Sequence, residues 1–116
     1  MTRPVVFFEI RGRDSKRLQE FYASLFGWKI DSNNPMNYGM VEPGIGGPEE
    51  GVGGGIVQGE KPMVTIYVQV VELNETLAKA EEMGGKAVMQ PMDFPNGPTV
   101  AMLEDPEGNT IGLVKQ

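Results

Sequence analysis

The sequence predicts an α+β fold of two βαβββ modules whose curved mixed sheets frame a concave cleft. Three observations carry this. Every second residue is apolar over residues 5–11 (Val6, Phe8, Ile10) and over 64–70 (Val64, Ile66, Val68, Val70), the period of a strand with one wholly apolar face. Each alternating run is followed by residues at helical spacing that end in glycine. Phe26-Gly27-Trp28-Lys29 and Met83-Gly84-Gly85-Lys86 then stand at equivalent places in the two halves, which marks an internal duplication. A four-stranded ferredoxin-like arrangement is the competing α+β reading, and it leaves the additional strands unplaced.

Taken in order, Val6, Phe8 and Ile10 form the apolar face of the first strand, and Val5, Phe7, Glu9 and Arg11 form the other. Asp14 or Ser15 caps a helix whose stripe is Leu18, Phe21, Tyr22, Leu25 and Phe26, with Gly27 as its stop. Strands follow at residues 28–30 and 38–42. The glycine-rich stretch from Gly44 to Gly55 lacks the ending of a phosphate-binding loop and reads as a mobile loop over the cleft mouth, running into Gly55-Ile56-Val57. In the second half, Val64, Ile66, Val68 and Val70 face a helix near residues 73–83, and Thr65, Tyr67 and Gln69 face the cleft. Strands are expected at 86–90, 99–103 and 110–114. Asp105-Pro106-Glu107-Gly108-Asn109 reads as a tight hairpin rather than a calcium loop, which needs more ligands.

With 116 residues, the chain is expected to form one domain, residues 1–116, with module one at about 1–58 and module two at about 62–116. Its 40% hydrophobic and 22% charged content is ordinary for a globular protein. No apolar run approaches the roughly 20 residues that span a bilayer. The N-terminal residues lack the features of a signal peptide, so a cytoplasmic location is expected, with no membrane partner. A net charge of −6 argues against nucleic acid as a partner; it favours a cationic ligand or serves solubility. There is no histidine and no cysteine. Ser-His-Asp and Cys-His triads, Cys/His zinc sites and disulfides are therefore excluded. Carboxylate, lysine, tyrosine and hydroxyl chemistry remain, or plain binding.

Residues 5–10, the block Phe21-Tyr22-Ala23-Ser24-Leu25-Phe26-Gly27-Trp28 and the 105–109 hairpin leading into Ile111-Gly112-Leu113 together resemble the vicinal oxygen chelate superfamily of glyoxalase I, bleomycin-resistance proteins and extradiol dioxygenases. The resemblance covers essentially the whole chain. It implies the paired βαβββ fold, a cleft on the concave sheet faces and commonly a homodimer. In metal-dependent members it also implies four ligands, from the first and last strand of each module. Mapped by motif spacing, those positions hold Phe7, Thr65, Gly112 and a residue in the stretch from Gly53 to Ile56, none with a carboxylate, imidazole or amide. No metal and no cofactor are expected.

The cleft is accordingly expected to be lined by Phe7, Glu9, Tyr38, Thr65, Tyr67, Gln69, Met102 and Gly112, and to take a small organic molecule that is cationic or aromatic. Glu9 is the candidate acid or base, a ligand contact, or the partner of Arg11 or another cation. Trp28 and most of Met36, Met40, Met89, Met92 and Met102 are expected to fill core. Arg11, Arg13, Lys16 and Arg17 read as a solvated basic patch near the first helix N-terminus. Two functions stay open: a non-catalytic binding protein, or an enzyme of the same superfamily, an isomerase or lyase related to lactoylglutathione lyase or a dioxygenase, using Glu9 or a tyrosine in place of the usual metal ligands.

Overall fold

The alternating run at the start of the chain becomes strand β1 (Val5–Gly12), followed by α1 (Ser15–Phe26), β2 (Ile30–Asp31), β3 (Gly39–Val41) and β4 (Gly53–Gln58). The second half repeats the order with β5 (Met63–Val70), α2 (Leu73–Glu82), β6 (Lys86–Asp93), β7 (Thr99–Glu104) and β8 (Thr110–Lys115). The structure, a computed structural model, describes residues 2–42, 51–95 and 97–115. It divides into two compact units, Phe7–Val64 and a second made of Met1–Val6 with Thr65–Gln116. The first residues join the second unit because the Gln69 backbone N–H donates to the Pro4 carbonyl at 2.9 Å.

Both units have one topology. In the first, the strands lie in the order β2-β3-β4-β1, with β1 and β4 parallel and the other pairs antiparallel. In the second the order is β5-β8-β7-β6, with β5 and β8 parallel. Parallel neighbours cannot be joined by a tight turn, so in each unit a helix and two strands intervene. The duplication read from the sequence therefore holds strand for strand. Of the glycine-rich segment, Gly53, Gly54 and Gly55 are strand rather than loop, because they pair with Phe7, Phe8 and Glu9 of β1. The expectation of a lid concerns mainly residues 43–50, which lie outside the described residues.

Asp14 caps α1, its carboxylate accepting from the Arg17 N–H at 3.1 Å, and Gly27 ends it in the left-handed conformation at φ 71°. The Gln58 side chain ties the helix start to the end of β4 by accepting from the Ser15 N–H and donating to the Arg13 carbonyl. The predicted stripe of α1 is only partly used. Leu18 packs over Gly12, Gln19 over Gly39 with a 3.2 Å bond to the Ile56 carbonyl, and Tyr22 and Phe26 against Trp28, whose ring also meets Phe8. Phe21 and Leu25 stay 55% and 59% exposed. The helix is turned so that Gln19 meets the sheet, an approach that the missing side chain of Gly39 permits.

The second unit has the more complete core, with Val70, Leu73, Leu77, Ala101 and Leu113 buried and Val68, Ala87 and Leu103 packed against them. At the start of β5 the expected burial inverts. Val64 and Ile66 are exposed, whereas Thr65 and Tyr67 are buried, because the apolar cluster beneath α2 begins only at Val68. Edge strand β6 carries Pro91 and two register shifts against β7, both devices that discourage edge pairing with another chain. Core filling by methionine holds for Met102, while Met36, Met40 and Met92 are exposed.

Candidate functional site

Strand register builds the same row of residues in each unit. In the first, Glu9 of β1 pairs with Gly55 of β4, and Gly55 pairs with Met40 of β3. In the second, Tyr67 of β5 pairs with Gly112 of β8, and Gly112 pairs with Met102 of β7. Paired residues on neighbouring strands project to the same face. Each row thus has a central glycine flanked by a methionine and by a first-strand residue. The register singles out Gly55 as the counterpart of Gly112, within the stretch that motif spacing alone leaves open.

Both central glycines are seats for a phenol ring. A Cβ on Gly55 would stand 1.9 Å from Cε1 and 2.1 Å from Oη of Tyr38, and one on Gly112 would stand 2.5 Å from Cδ2 and Cε2 of Tyr67. These rings lie directly on bare backbone, which no residue with a side chain would allow. Gly54 receives the Phe8 ring in the same way on the opposite face of β4, with a Cβ position 2.4 Å from Cδ2.

Tyr38 is placed by the connection before β3. Its backbone N–H donates to Asn34 Oδ1 at 2.9 Å and its carbonyl accepts from Asn34 Nδ2 at 2.7 Å. Asn37 takes up the left-handed turn between them at φ 51°, a conformation asparagine tolerates. Tyr38 Oη then donates to Glu9 Oε2 at 2.7 Å, while Arg11 Nε donates to Glu9 Oε1 at 2.7 Å. Glu9 is only 6% exposed, so its charge depends on these charge-assisted bonds. The pairing of Glu9 with Arg11, one of its readings, is present in the structure. Asn34 is absent from the sequence-derived set. The signal for it was the turn composition of residues 31–37, whose partner lies four positions on.

In the second unit Thr65, Tyr67 and Gln69 alternate along β5, with Tyr67 and Met102 buried and Gln69 half-buried. Thr65 is 2% exposed, and among the described residues its Oγ1 has no hydrogen-bond partner. Phe7 is half-buried on β1 beside Gly53, its ring centroid 6.5 Å from that of Phe8. Two surface grooves lie elsewhere: one of about 310 Å³ between the end of α2 and the β7–β8 turn, and one along α1 at Arg17, Phe21 and Leu25. Neither touches the expected cleft residues. Arg13 Nε donates to the Glu60 carbonyl at 2.9 Å, so part of the basic patch is structural.

The 105–109 segment is a hairpin turn. Asp105 accepts from the Glu107 and Asn109 N–H groups and from Asn109 Nδ2, each at 2.9 Å, and Gly108 takes φ 91°. The Asn109 side-chain and backbone amides hold the Asp105 carboxyl below its usual pKa of 3.8. Those oxygens are already engaged.

A divalent ion needs several fixed oxygen, nitrogen or sulfur donors. Phe7, Gly55 and Gly112 offer none from their side chains, and Thr65 offers a single hydroxyl. Among the described residues no group of three or more Asp or Glu is placed to hold a metal ion. The donor set does not fit the family's metal. Among the described residues no helix is long and apolar enough to cross a membrane.

Residues 6–114 match the family model described as a glyoxalase-like domain. A glyoxylase-like domain-containing protein of Didymella fabae is 29% identical over 112 residues, 90% of this chain and 88% of that protein. A Mycobacterium bovis protein is 26% identical over 111 residues, and the chain spans only 42% of its length. A glyoxalase/bleomycin resistance protein/dioxygenase superfamily member from Vibrio splendidus has a similar fold, with a TM-score of 0.66 at 15% identity, covering 99% of this chain and 100% of that one.

Proposed function

Since the chain belongs to the glyoxalase-like domain family, we propose that it is a metal-independent small-molecule-binding protein of the wider glyoxalase, bleomycin-resistance and dioxygenase superfamily. The observation that carries this reading is the pair of ring-covered glycines. At Gly55 and Gly112, where the resemblance calls for metal donors, the chain lays the phenol rings of Tyr38 and Tyr67 on bare backbone. The paired charges of Glu9 and Arg11 favour an aromatic ligand over a cationic one, because Arg11 already neutralises the Glu9 carboxylate. A thermal-shift screen of small aromatics, organic cations and oxo-acids tests this, run in EDTA and again with Mn, Ni, Zn or Fe(II). Aromatic hits indifferent to metal support the reading, and hits that need metal overturn it.

The 2.7 Å bond from Tyr38 Oη to Glu9 favours one second reading, an enzyme that moves a proton between phenol and carboxylate. If a ligand is turned over, and Glu9→Gln abolishes turnover without weakening binding, the enzyme reading replaces the first. We propose further that the chain is a homodimer in the cytoplasm. The exposed apolar residues Phe21, Leu25 and Phe26 of α1 support self-association, which light scattering after gel filtration tests; cell fractionation tests the location.

A further inference from the structure

The backbone face above Gly55 is already occupied, and the occupant comes from the chain itself. Tyr38 ends the connection between β2 and β3. Its ring lies so close to Gly55 that a Cβ there would fall 1.9–2.2 Å from three of its atoms. Its hydroxyl donates at 2.7 Å to the buried carboxylate of Glu9, whose other oxygen is fixed by Arg11. Two parts of this arrangement belong to a strand: the bare glycine surface and the oriented acceptor. The third, the ring, arrives on a connection that local hydrogen bonds hold together. Asn33 N–H donates to Asp31, Asn34 N–H to Ser32, Asn37 N–H to Asn34, and Asn34 clasps the Tyr38 backbone. These bonds persist if the connection moves as a unit.

Resting on the small-molecule-binding reading above, we propose that Gly55, Glu9 and Arg11 form a subsite for a planar aromatic ligand bearing one hydroxyl donor, and that Tyr38 is its exchangeable built-in occupant. The chemistry follows from what the subsite already holds. A flat ring is required because only glycine leaves room against the backbone. A donor is required because Glu9 is a buried acceptor that is costly to leave unmet. A neutral ligand is favoured because Glu9 and Arg11 already compensate each other, so an anion would meet the buried Glu9 carboxylate and a cation would meet the half-buried Arg11 guanidinium.

The probe is p-cresol, the free equivalent of a tyrosine side chain, with toluene as the same ring without the hydroxyl. In Tyr38→Ala the vacated subsite should bind p-cresol saturably, raising Tm, and about tenfold or more tightly than toluene, the worth of a hydrogen bond to a charged acceptor. Adding Gly55→Ala to Tyr38→Ala should remove binding, since the new Cβ fills the ring's place. Tyr38→Phe retains the core contacts should the alanine variant fail to fold. It lacks the competing hydroxyl, so p-cresol should bind it about tenfold more tightly than wild type. In wild-type protein with ring-labelled tyrosine, saturating p-cresol should shift the Tyr38 resonance. Equal binding of p-cresol and toluene, an unchanged affinity across the variants, or a Tyr38 signal that stays put overturns the proposal. Metal content measured on the same samples separates the two claims: absent cresol binding refutes the subsite alone, and bound metal refutes the metal-free reading alone.

Discussion

Replacing Gly112 by alanine is a sharp test of the ring-on-glycine arrangement. The new Cβ would stand 2.5 Å from two carbons of Tyr67 and 2.8 Å from a third, where ordinary carbon contacts lie at about 3.5–4.0 Å. The ring must retreat by about 1 Å, and at 6% exposure it has no open side to retreat into. Overpacking of that kind costs about 1–3 kcal/mol. The φ of Gly112 is not among the positive ones, so alanine also stiffens the unfolded chain and returns about 0.4–1 kcal/mol. With the middle of each range, the net expectation is a loss of about 1.3 kcal/mol. In a Tyr67→Ala background the clash is gone, and the same substitution should be neutral or mildly stabilising. The double-mutant cycle should therefore show a coupling of about 2 kcal/mol, read from urea denaturation of the four proteins. A Gly112→Ala penalty within about 0.5 kcal/mol of zero, or an equal penalty with and without Tyr67, would refute the reasoning.

Thr65→Val removes a buried hydroxyl that has no partner among the described residues at nearly constant shape, so it should raise stability by about 1 kcal/mol in urea melts; a loss of that size would mean the hydroxyl is satisfied. Arg11→Met removes the cation bonded to the buried Glu9 carboxylate and should cost about 1–2 kcal/mol by the same assay, with a null effect counting against the pairing. Asp105 has a folded pKa below its ordinary 3.8, so its carboxylate contributes stability above that value, and the contribution is lost as pH falls through the lower folded value. The Tm gap between wild type and Asp105→Asn should accordingly be full above about pH 5 and close below pH 3.8; a gap that widens in acid reverses the sign and rejects the assignment.

Periodicity made the strands and helices readable, because Val5 to Arg11 and Val64 to Val70 each carry one wholly apolar face at strand spacing and Gly27 stops α1 in a left-handed turn. The same reasoning misjudged which side of α1 meets the sheet. Composition alone makes Phe21 and Leu25 look buried, but the glycine at position 39 lets a polar residue, Gln19, approach closest. Likewise the glycines of 53–55 carry no side-chain pattern and read as loop; their strand character comes from pairing with β1, a tertiary fact. The site was half legible. Parity put Glu9 and Arg11 on one face, and their pairing was among the alternatives weighed. That Tyr38 reaches Glu9 depends on the Asn34 clasp and the Gly55 seat; composition marks a turn at residues 31–37, but the register that sets Gly55 beside Glu9 is a tertiary fact.

Direct elemental analysis tests whether the ring-covered glycines stand in place of a metal centre. The protein is purified, soaked with Zn, Ni, Mn or Fe(II), dialysed and assayed for metal per chain. Metal content should stay far below one ion per chain under every condition, with the aromatic-ligand response unchanged. One tightly held ion per chain would contradict a metal-free site.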